Sequence, residues 1–283
     1  VVRQLFRLNE IVEKKELAPR IKEIKVYNPR IAAKARAGQF VIVKVGEEGE
    51  RIPLTIADWD REKGLITIVF QEVGVSTYKL GRLGVGDVIT DVVGPLGNPS
   101  EIEKFGTVVC VGGGVGIAAI YPMAKELKKA GNRVISIIGA RNKDLLIYEE
   151  EMRRVSDELR ITTDDGSKGR KGFVSDELRD LLNSGLKVDR VIAVGPAIMM
   201  KTCADVTRPF NVKTIVSLNS LMLCGMGMCG ACRVEVGGKT RFVCVDGPDF
   251  DAHQVNFDVL IKRLNAYKAE EQLALKRFLE VKA

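Results

Sequence analysis

Four of the chain's six cysteines, Cys224, Cys229, Cys232 and Cys244, fall within 21 residues. Their spacing is C-x4-C-x2-C-x11-C, with Gly225, Gly227 and Gly230 set among the first three sulfurs. Thiolates that converge on a metal centre need a backbone folded tightly around it. Glycine permits the positive φ and the close N–H approach that this demands. The order C-x4-C-x2-C…C is the plant-type spacing of a [2Fe–2S] cluster. A structural zinc site is the rival, but such sites usually join two C-x2-C pairs and Cys244 has no such partner. Three cysteines in nine residues are poorly explained as core packing. Cys110 and Cys203, alone in apolar surroundings, read as core.

A second chemistry lies in the glycines. Gly112, Gly113, Gly114, Val115 and Gly116 follow an apolar run at 107–111 and precede a helical stretch at 117–130. Gly195-Pro196 closes another apolar run at 190–194. Gly139-Ala-Arg141 and Thr163-Asp164-Asp165-Gly166 close two more. Glycines at such turns let a dinucleotide's pyrophosphate approach backbone N–H groups at a helix start. Tight strand-to-helix turns also favour glycine, so the argument rests on several strand ends together. The run is not G-x-G-x-x-G, and no acidic residue stands out about 20 positions on. A weaker pattern is Gly74-Val75-Ser76-Thr77 at the start of a short helix expected over 76–83. It offers N–H groups and hydroxyls to a phosphate, or simply caps the helix. Arg51 leads the stretch Arg51-Ile-Pro53-Leu54-Thr55-Ile.

These residues need three kinds of scaffold. Residues 1–100 read as strands: 1–13, 18–27, 40–45, 65–70 and 87–93 alternate apolar and charged residues between Gly, Pro and Asn-Pro breaks. Five or six strands with one short helix predict an N-terminal antiparallel β-barrel. Residues 101–216 alternate strand and helix, which predicts an α/β parallel-sheet domain with helices on both faces. Its ligand crevice lies at the strand C-terminal ends. In residues 217–283, strands at 233–236 and 240–244 form a hairpin through Gly237-Gly238 that returns Cys244 to the other cysteines. A helix expected over 260–282 would gather Leu260, Leu264, Tyr267, Leu273, Phe278 and Leu279 on one face. The last part is thus a small C-terminal iron–sulfur domain.

Length and composition agree. A chain of 283 residues, 46% hydrophobic and 29% charged, suits two domains and an appendage with ample core. No run is long enough to span a membrane. The first residues lack the order of a signal peptide, so the cytoplasm is the expected compartment, where clustered thiols favour metal over disulfides. The net charge of +7 is spread among alternating acids and bases, without the basic, aromatic-laced stripe of a nucleic-acid binder. A mildly basic face suits an acidic electron carrier such as ferredoxin, though solvated helix faces are the plainer reading. His253 is the only histidine, which excludes a multi-histidine metal site and favours a structural role.

Barrel, nucleotide domain and cysteine motif, in that order, resemble the ferredoxin–NADP reductase superfamily, in the branch with a C-terminal iron–sulfur domain. That branch holds the electron-transfer subunits of dihydroorotate dehydrogenases and the small subunits of NADH-dependent reduced ferredoxin:NADP oxidoreductases. The second group looks closer, on Asp164-Asp-Gly-Ser-Lys-Gly-Arg-Lys-Gly-Phe173, Gly195-Pro-Ala-Ile-Met-Met-Lys201, Gly227-Met-Cys-Gly-Ala-Cys-Arg-Val234 and Cys244-Val-Asp-Gly-Pro-Asp-Phe-Asp251. The resemblance spans the whole chain. It implies FAD, NAD(H) and a [2Fe–2S] cluster, with hydride passing between nicotinamide and flavin and single electrons between flavin and cluster. It implies Arg51 at the FAD diphosphate, with Pro53, Leu54 and Thr55 along the isoalloxazine; Pro53 replaces the usual aromatic. It implies Gly74, Val75, Ser76 and Thr77 at the flavin pyrophosphate, and the two later glycine motifs at the nicotinamide nucleotide. Cys224 departs from the pattern, because many small subunits of the second group carry Asp there. The implied partner is a larger flavoprotein subunit with [4Fe–4S] clusters, serving ferredoxin and NADP. A pyrimidine-pathway partner, or a zinc-stabilised module without redox function, are the alternatives.

Overall fold

The computed structural model of the chain describes residues 6–280. The first unit has six strands: β1 (Glu10–Ala18), β2 (Ile21–Tyr27), β3 (Phe40–Lys44), β4 (Arg51–Asp60), β5 (Leu65–Gln71) and β6 (Asp91–Leu96). All pair antiparallel in the order β1-β2-β5-β4-β3-β6. The ends of the sheet meet. The Ile11 N–H donates to Asp87 O at 2.9 Å, the Gly86 N–H to Ile11 O at 2.8 Å, and Glu10 bridges Val88. This closes the expected barrel around Ile11, Ile24, Val41, Ile56, Ile68 and Phe70. Helix α1 (Pro29–Lys34), capped by Asn28, plugs one end with Ile31 and Ala32. Helix α2 (Val75–Arg82) precedes the last strand.

The strand expected at 1–13 instead begins at Glu10, and its first five positions lie outside the described residues. The next starts at Ile21 because Pro19-Arg20 turns the chain, with Arg20 at φ 64°. The spacing missed β4 as a strand because Pro53 sits inside it. Its missing N–H breaks no ladder there. Residues 51–55 pair only with β3, and pairing with β5 begins at Ile56.

The second unit contains β7 (Thr107–Gly113), α3 (Gly116–Lys129), β8 (Arg133–Ala140), α4 (Glu149–Val155), β9 (Glu158–Thr163), β10 (Arg170–Lys171), α5 (Val174–Asn183), β11 (Arg190–Val194), α6 (Ala197–Thr207) and β12 (Thr214–Ser217). The sheet order is β10-β9-β8-β7-β11-β12, all parallel, so the chain reverses direction of growth between β7 and β11. Helices α3 and α4 cover one face and α5 and α6 the other, each over its own apolar cluster.

The third part holds the hairpin β13 (Arg233–Val236) and β14 (Lys239–Phe242), α7 (Val243–Asp246), β15 (Asp249–Asp251), α8 (Phe257–Leu264) and α9 (Lys268–Glu280). Gly237 and Gly238 both take positive φ, as a two-residue hairpin turn requires. Two expectations change here. Cys244 lies on a helical turn and not on a strand, because the Asp246 carboxylate accepts the Phe242 N–H at 2.6 Å and draws the chain round. The single C-terminal helix is two helices broken after Leu264; Leu260 is buried, but Tyr267, Leu273 and Leu279 are exposed, and positions 281–282 lie outside the described residues. Strand β15 also adds an antiparallel edge to the parallel sheet, beside β12.

The barrel is clasped to the second unit by polar contacts. Lys125 on α3 pairs with Asp58 on β4 at 2.8 Å. The buried Tyr148 hydroxyl donates to the buried Glu23 carboxylate, and burial with that neighbouring charge pushes the phenol's pKa up. Tyr148→Phe leaves a buried carboxylate oxygen without its donor. We expect it to lower stability by about 1–3 kcal/mol, read as a lower midpoint in denaturant; an unchanged midpoint would show that the clasp contributes nothing.

Candidate functional site

One cavity of about 970 Å³ opens where the three parts meet. That volume is at the upper end for a small-molecule site. Its barrel wall is the unpaired edge of β4, where Pro53, Leu54 and Thr55 line it, with Phe70 beside them. Because β5 leaves this edge free, backbone groups face the cavity and not another strand. Arg51 does not line it; its exposed guanidinium stands 3.9 Å from Asp91. Of the Gly74 turn, only Thr77 reaches the cavity. Its hydroxyl accepts the Val73 and Gly74 N–H groups at 3.0 Å, and Ser76 donates to Glu50 at 3.2 Å. Both hydroxyls and the Val73 and Gly74 N–H groups are engaged, which leaves the first turn of α2 as the feature that could face an anion.

Gly113, Gly114, Val115 and Gly116 line the opposite wall with Gly195 and Pro196; Gly112 lies behind them. The packing needs glycine. A Cβ on Gly116 would stand 2.3 Å from Val194 O, and one on Gly113 2.3 Å from Met199 Sδ. The start of α3 is therefore pressed onto the end of β11, and the end of β7 lies against Met199 of α6, at the point where the sheet changes direction. The N-terminus of α3, a helix of 14 residues, begins there, with the positive end of its dipole at the cavity. Among the lining residues only Arg141, Asp164 and Asp176 carry formal charge. They follow β8, follow β9 and start α5, so one end of an otherwise neutral cavity is charged.

The third wall comes from Ser217, Leu218, Asn219, Met222 and Pro248. Sequence reasoning missed these, because they bear no chemical signal and reach the cavity only through the β12–β15 pairing. Beyond them lies the cysteine loop. Gly225, Gly227 and Gly230 all have positive φ, and a Cβ on Gly225 would meet Leu96 at 2.7 Å and Ile42 at 2.8 Å, so the loop lies directly on β3 and β6. N–H groups point at the sulfurs: Met226 and Cys229 donate to Cys224 Sγ at 3.5 and 3.4 Å, and Gly227 to Cys244 Sγ at 3.2 Å. Cys232 and Cys244 are buried with sulfurs 3.2 Å apart, Cys224 is half-buried and Cys229 exposed. Among the described residues no three Cys, His, Asp or Glu side chains close on one point as around a single ion. The cysteines stand instead as two pairs, 224 with 229 and 232 with 244, a donor set that suits a two-iron cluster. Leu223, Met226, Met228 and Val245 form an exposed apolar rim around it.

The thiols differ in character. Backbone N–H groups of Cys229 and Met226 lower the Cys224 pKa to about 6. Burial, then the Cys232 thiol, raises that of Cys244 to about 12. Burial alone lifts Cys110 and Cys203 to about 12 as well; both sit in the core, as expected. His253 bonds Thr207 at 2.9 Å, a structural role.

Comparison with known proteins accords with this layout. Residues 110–205 match the oxidoreductase NAD-binding domain, and residues 219–256 the iron–sulfur cluster binding domain of dihydroorotate dehydrogenase B. An electron transfer subunit homolog of dihydroorotate dehydrogenase B (NAD(+)) from Thermotoga maritima is 50% identical over 96% of each chain. The electron transfer subunit of dihydroorotate dehydrogenase B (NAD(+)) from Bacillus caldolyticus is 35% identical over 87% of this chain and 96% of its own. A chain in the structure of NADH-dependent reduced ferredoxin–NADP oxidoreductase, studied for flavin-based electron bifurcation, superposes with a TM-score of 0.92. It is 50% identical and covers 98% of this chain and 99% of its own.

The thiol pKa order has a direct readout. In cluster-free protein at pH 7, iodoacetamide should label Cys224 well before Cys110, Cys203 and Cys244, with the Cys224 rate falling as pH drops through about 6. Peptide mass spectrometry reads the order, and labelling of Cys244 as fast as Cys224 would contradict it.

Proposed function

We propose a function from one premise: the chain belongs to the ferredoxin–NADP reductase superfamily, among the electron-transfer subunits with a C-terminal iron–sulfur domain. It is an oxidoreductase subunit that passes electrons between NAD(H), FAD and a [2Fe–2S] cluster, and it serves a larger catalytic subunit. The observation that carries this reading is the single cavity walled by the open β4 edge, the two glycine turns and the segment leading into the cysteines. A flavin held there by the β4 edge would lie between the glycine turns and the segment that leads into the cysteines. When bound, the flavin supplies the exchange between hydride and single electrons.

The chain's own residues do the rest. Gly113, Gly114, Gly116 and Gly195 admit the nucleotide's diphosphate to backbone N–H groups and the α3 N-terminus, with Arg141 as the cation lining the cavity. Pro53, Leu54 and Thr55 would flank the isoalloxazine, the Gly74–Thr77 turn would meet the flavin diphosphate through Thr77 at the cavity wall, and Arg51 would add its charge from beside Asp91. Cys224, Cys229, Cys232 and Cys244 hold the cluster, and the N–H groups on Cys224 and Cys244 stabilise their thiolate charge. The match to an iron–sulfur domain favours this over zinc.

The partner we propose is a flavoprotein with [4Fe–4S] clusters that reduces NADP and oxidises ferredoxin in the cytoplasm. Among the described residues no helix is long and apolar enough to cross a membrane. The two dihydroorotate dehydrogenase B relatives favour a second reading, in which the partner oxidises dihydroorotate. Purifying the complex without oxygen decides the matter. Flavin and iron absorbance that bleaches with NADH, and a co-purified partner that reduces NADP, are expected. Dihydroorotate-dependent reduction of NAD would install the second reading, and a colourless zinc protein would refute both.

Two variants probe the site. Gly116→Ala drives a methyl into Val194 O and should weaken NADH binding by about tenfold or more, through loss of about 1.4 kcal/mol, while flavin content holds; equal affinity would place the nucleotide elsewhere. Cys224→Asp replaces a soft thiolate with a harder carboxylate and should raise the cluster's midpoint potential in a redox titration. A potential that stays or falls would overturn the idea that the fourth thiolate lowers the potential.

A further inference from the structure

Among the described residues two buried side-chain oxygens lack a hydrogen-bond partner, Ser220 Oγ and Asp249 Oδ1. Asp249 is the more telling. It opens β15 directly opposite Ser217 in the β12 ladder. Ser217 and the neighbouring Pro248 line the cavity. On its other side, the half-buried Ser100 Oγ donates to Asp249 Oδ2 at 2.6 Å. Oδ1 exposes less than 1 Å² and is unpaired. A carboxyl group thus stands between a serine at the cavity and a second, half-buried serine, with one oxygen free.

Among the described residues no ion pair accounts for it. Asp251, the next residue on the same side of β15, accepts the His253 N–H and the Gln254 amide. Glu101, beside Ser100, is held by Arg190 at 2.6 Å. The groups acting on Asp249 are the hydroxyls of Ser100 and Ser217, and burial outweighs them and raises its pKa. It therefore holds a proton more tightly than an exposed aspartate does.

The chemistry of the site leaves a proton to be moved. Oxidation of NADH to NAD⁺ releases two electrons and one proton. An iron–sulfur cluster carries electrons onward but no proton, so one proton must leave the cavity by another route for every hydride consumed. We infer that Asp249 provides that route: the carboxylate takes the proton at Oδ1 from the Ser217 side and yields it through Ser100 to solvent. The inference rests on the function proposed above. It gives Asp249 no part in binding the nucleotide, and it runs in reverse when electrons flow toward NAD⁺.

Asp249→Asn keeps the size and one acceptor but cannot take up a proton. In the holoprotein, the reduced-minus-oxidised infrared spectrum should contain a carboxylic-acid band that shifts in D2O and is missing from the variant. Flavin and iron content and the rate of reduction by NADH should match wild type. Reoxidation by ferricyanide, a one-electron acceptor, should slow by about a hundredfold and lose its pH dependence. A wild-type spectrum without the band, or a variant that reoxidises at the wild-type rate across the same pH range, overturns the assignment. If NADH fails to reduce the wild-type protein, the proposed function falls instead, and dithionite as reductant still tests Asp249 through the infrared band. Should the Asn variant not assemble, Ser217→Ala carries the test: the carboxylic-acid band should be absent from its reduced-minus-oxidised spectrum, and a band of wild-type size would overturn the route.

Discussion

The pairing of β12 with β15 is the constraint on which the rest depends. Three residue pairs, Ile215 with Asp251, Val216 with Phe250 and Ser217 with Asp249, fix the register. The Leu218 N–H donates to Pro248 O at 2.9 Å and closes the ladder. Everything from 218 to 248, including all four clustered cysteines, is therefore a loop held at its base by the edge of the nucleotide sheet. The base decides where the loop can lie. Asn98 ties it to the barrel as well, through its side chain to Val245 O at 2.9 Å and its N–H to Gly247 O at 2.7 Å. A cysteine motif that is local in sequence is thus placed by contacts to both larger units.

The same economy of backbone shapes the cavity. On one side the start of α3 presses so closely on the end of β11 that Gly116 has no room for a side chain, and Gly113 and Gly195 lie against the Met199 side chain. On the other, β4 separates from β5 over residues 51–55 and leaves its edge open. Close approach and withdrawn pairing have opposite local causes but one result: backbone groups face the cavity from both walls. Charge is confined to Arg141, Asp164 and Asp176 at one end. A ligand with an ionic diphosphate and a flat, mostly neutral ring system would find both environments there.

Much of this was legible in the sequence, for physical reasons. The βαβ rhythm of 101–216 gave the parallel sheet because buried strands and amphipathic helices have unlike periods. The cysteine spacing marked the cluster loop, since nothing else needs sulfurs and glycines so interleaved. What stayed hidden was non-local or contrary to propensity. Pro53 concealed β4, because proline argues against a strand unless one edge is free, and that freedom is a property of the assembled barrel. The α7 turn depends on the Asp246 side chain reaching back to Phe242. Ser217, Asn219, Met222 and Pro248 gain their place at the cavity from strand pairing alone. The apolar positions at 260–279 suggested one buried helix face, yet Leu260 packs in the core, Phe278 lies under the Arg82 guanidinium of α2 and Tyr267, Leu273 and Leu279 stay exposed.

The cysteine loop joins two mechanical regimes. Inward, N–H groups at 3.2 to 3.5 Å from the sulfurs and left-handed glycines hold the backbone in one arrangement. A donor set held this way needs little rearrangement when its charge changes by one electron. Outward, the loop presents Met226 and Met228, 56% and 82% exposed, beside Leu223 and Val245. Methionine is unbranched and polarizable and packs against surfaces of varied shape. A rim of this kind excludes water from around the exposed Cys229 once another apolar surface lies on it, and it demands no exact fit. Rigidity at the sulfurs and adaptability at the rim are separate properties here, supplied by glycine and methionine in alternation along Cys224-Gly-Met-Gly-Met-Cys229. A loop of that composition can keep its geometry fixed while it meets a second protein.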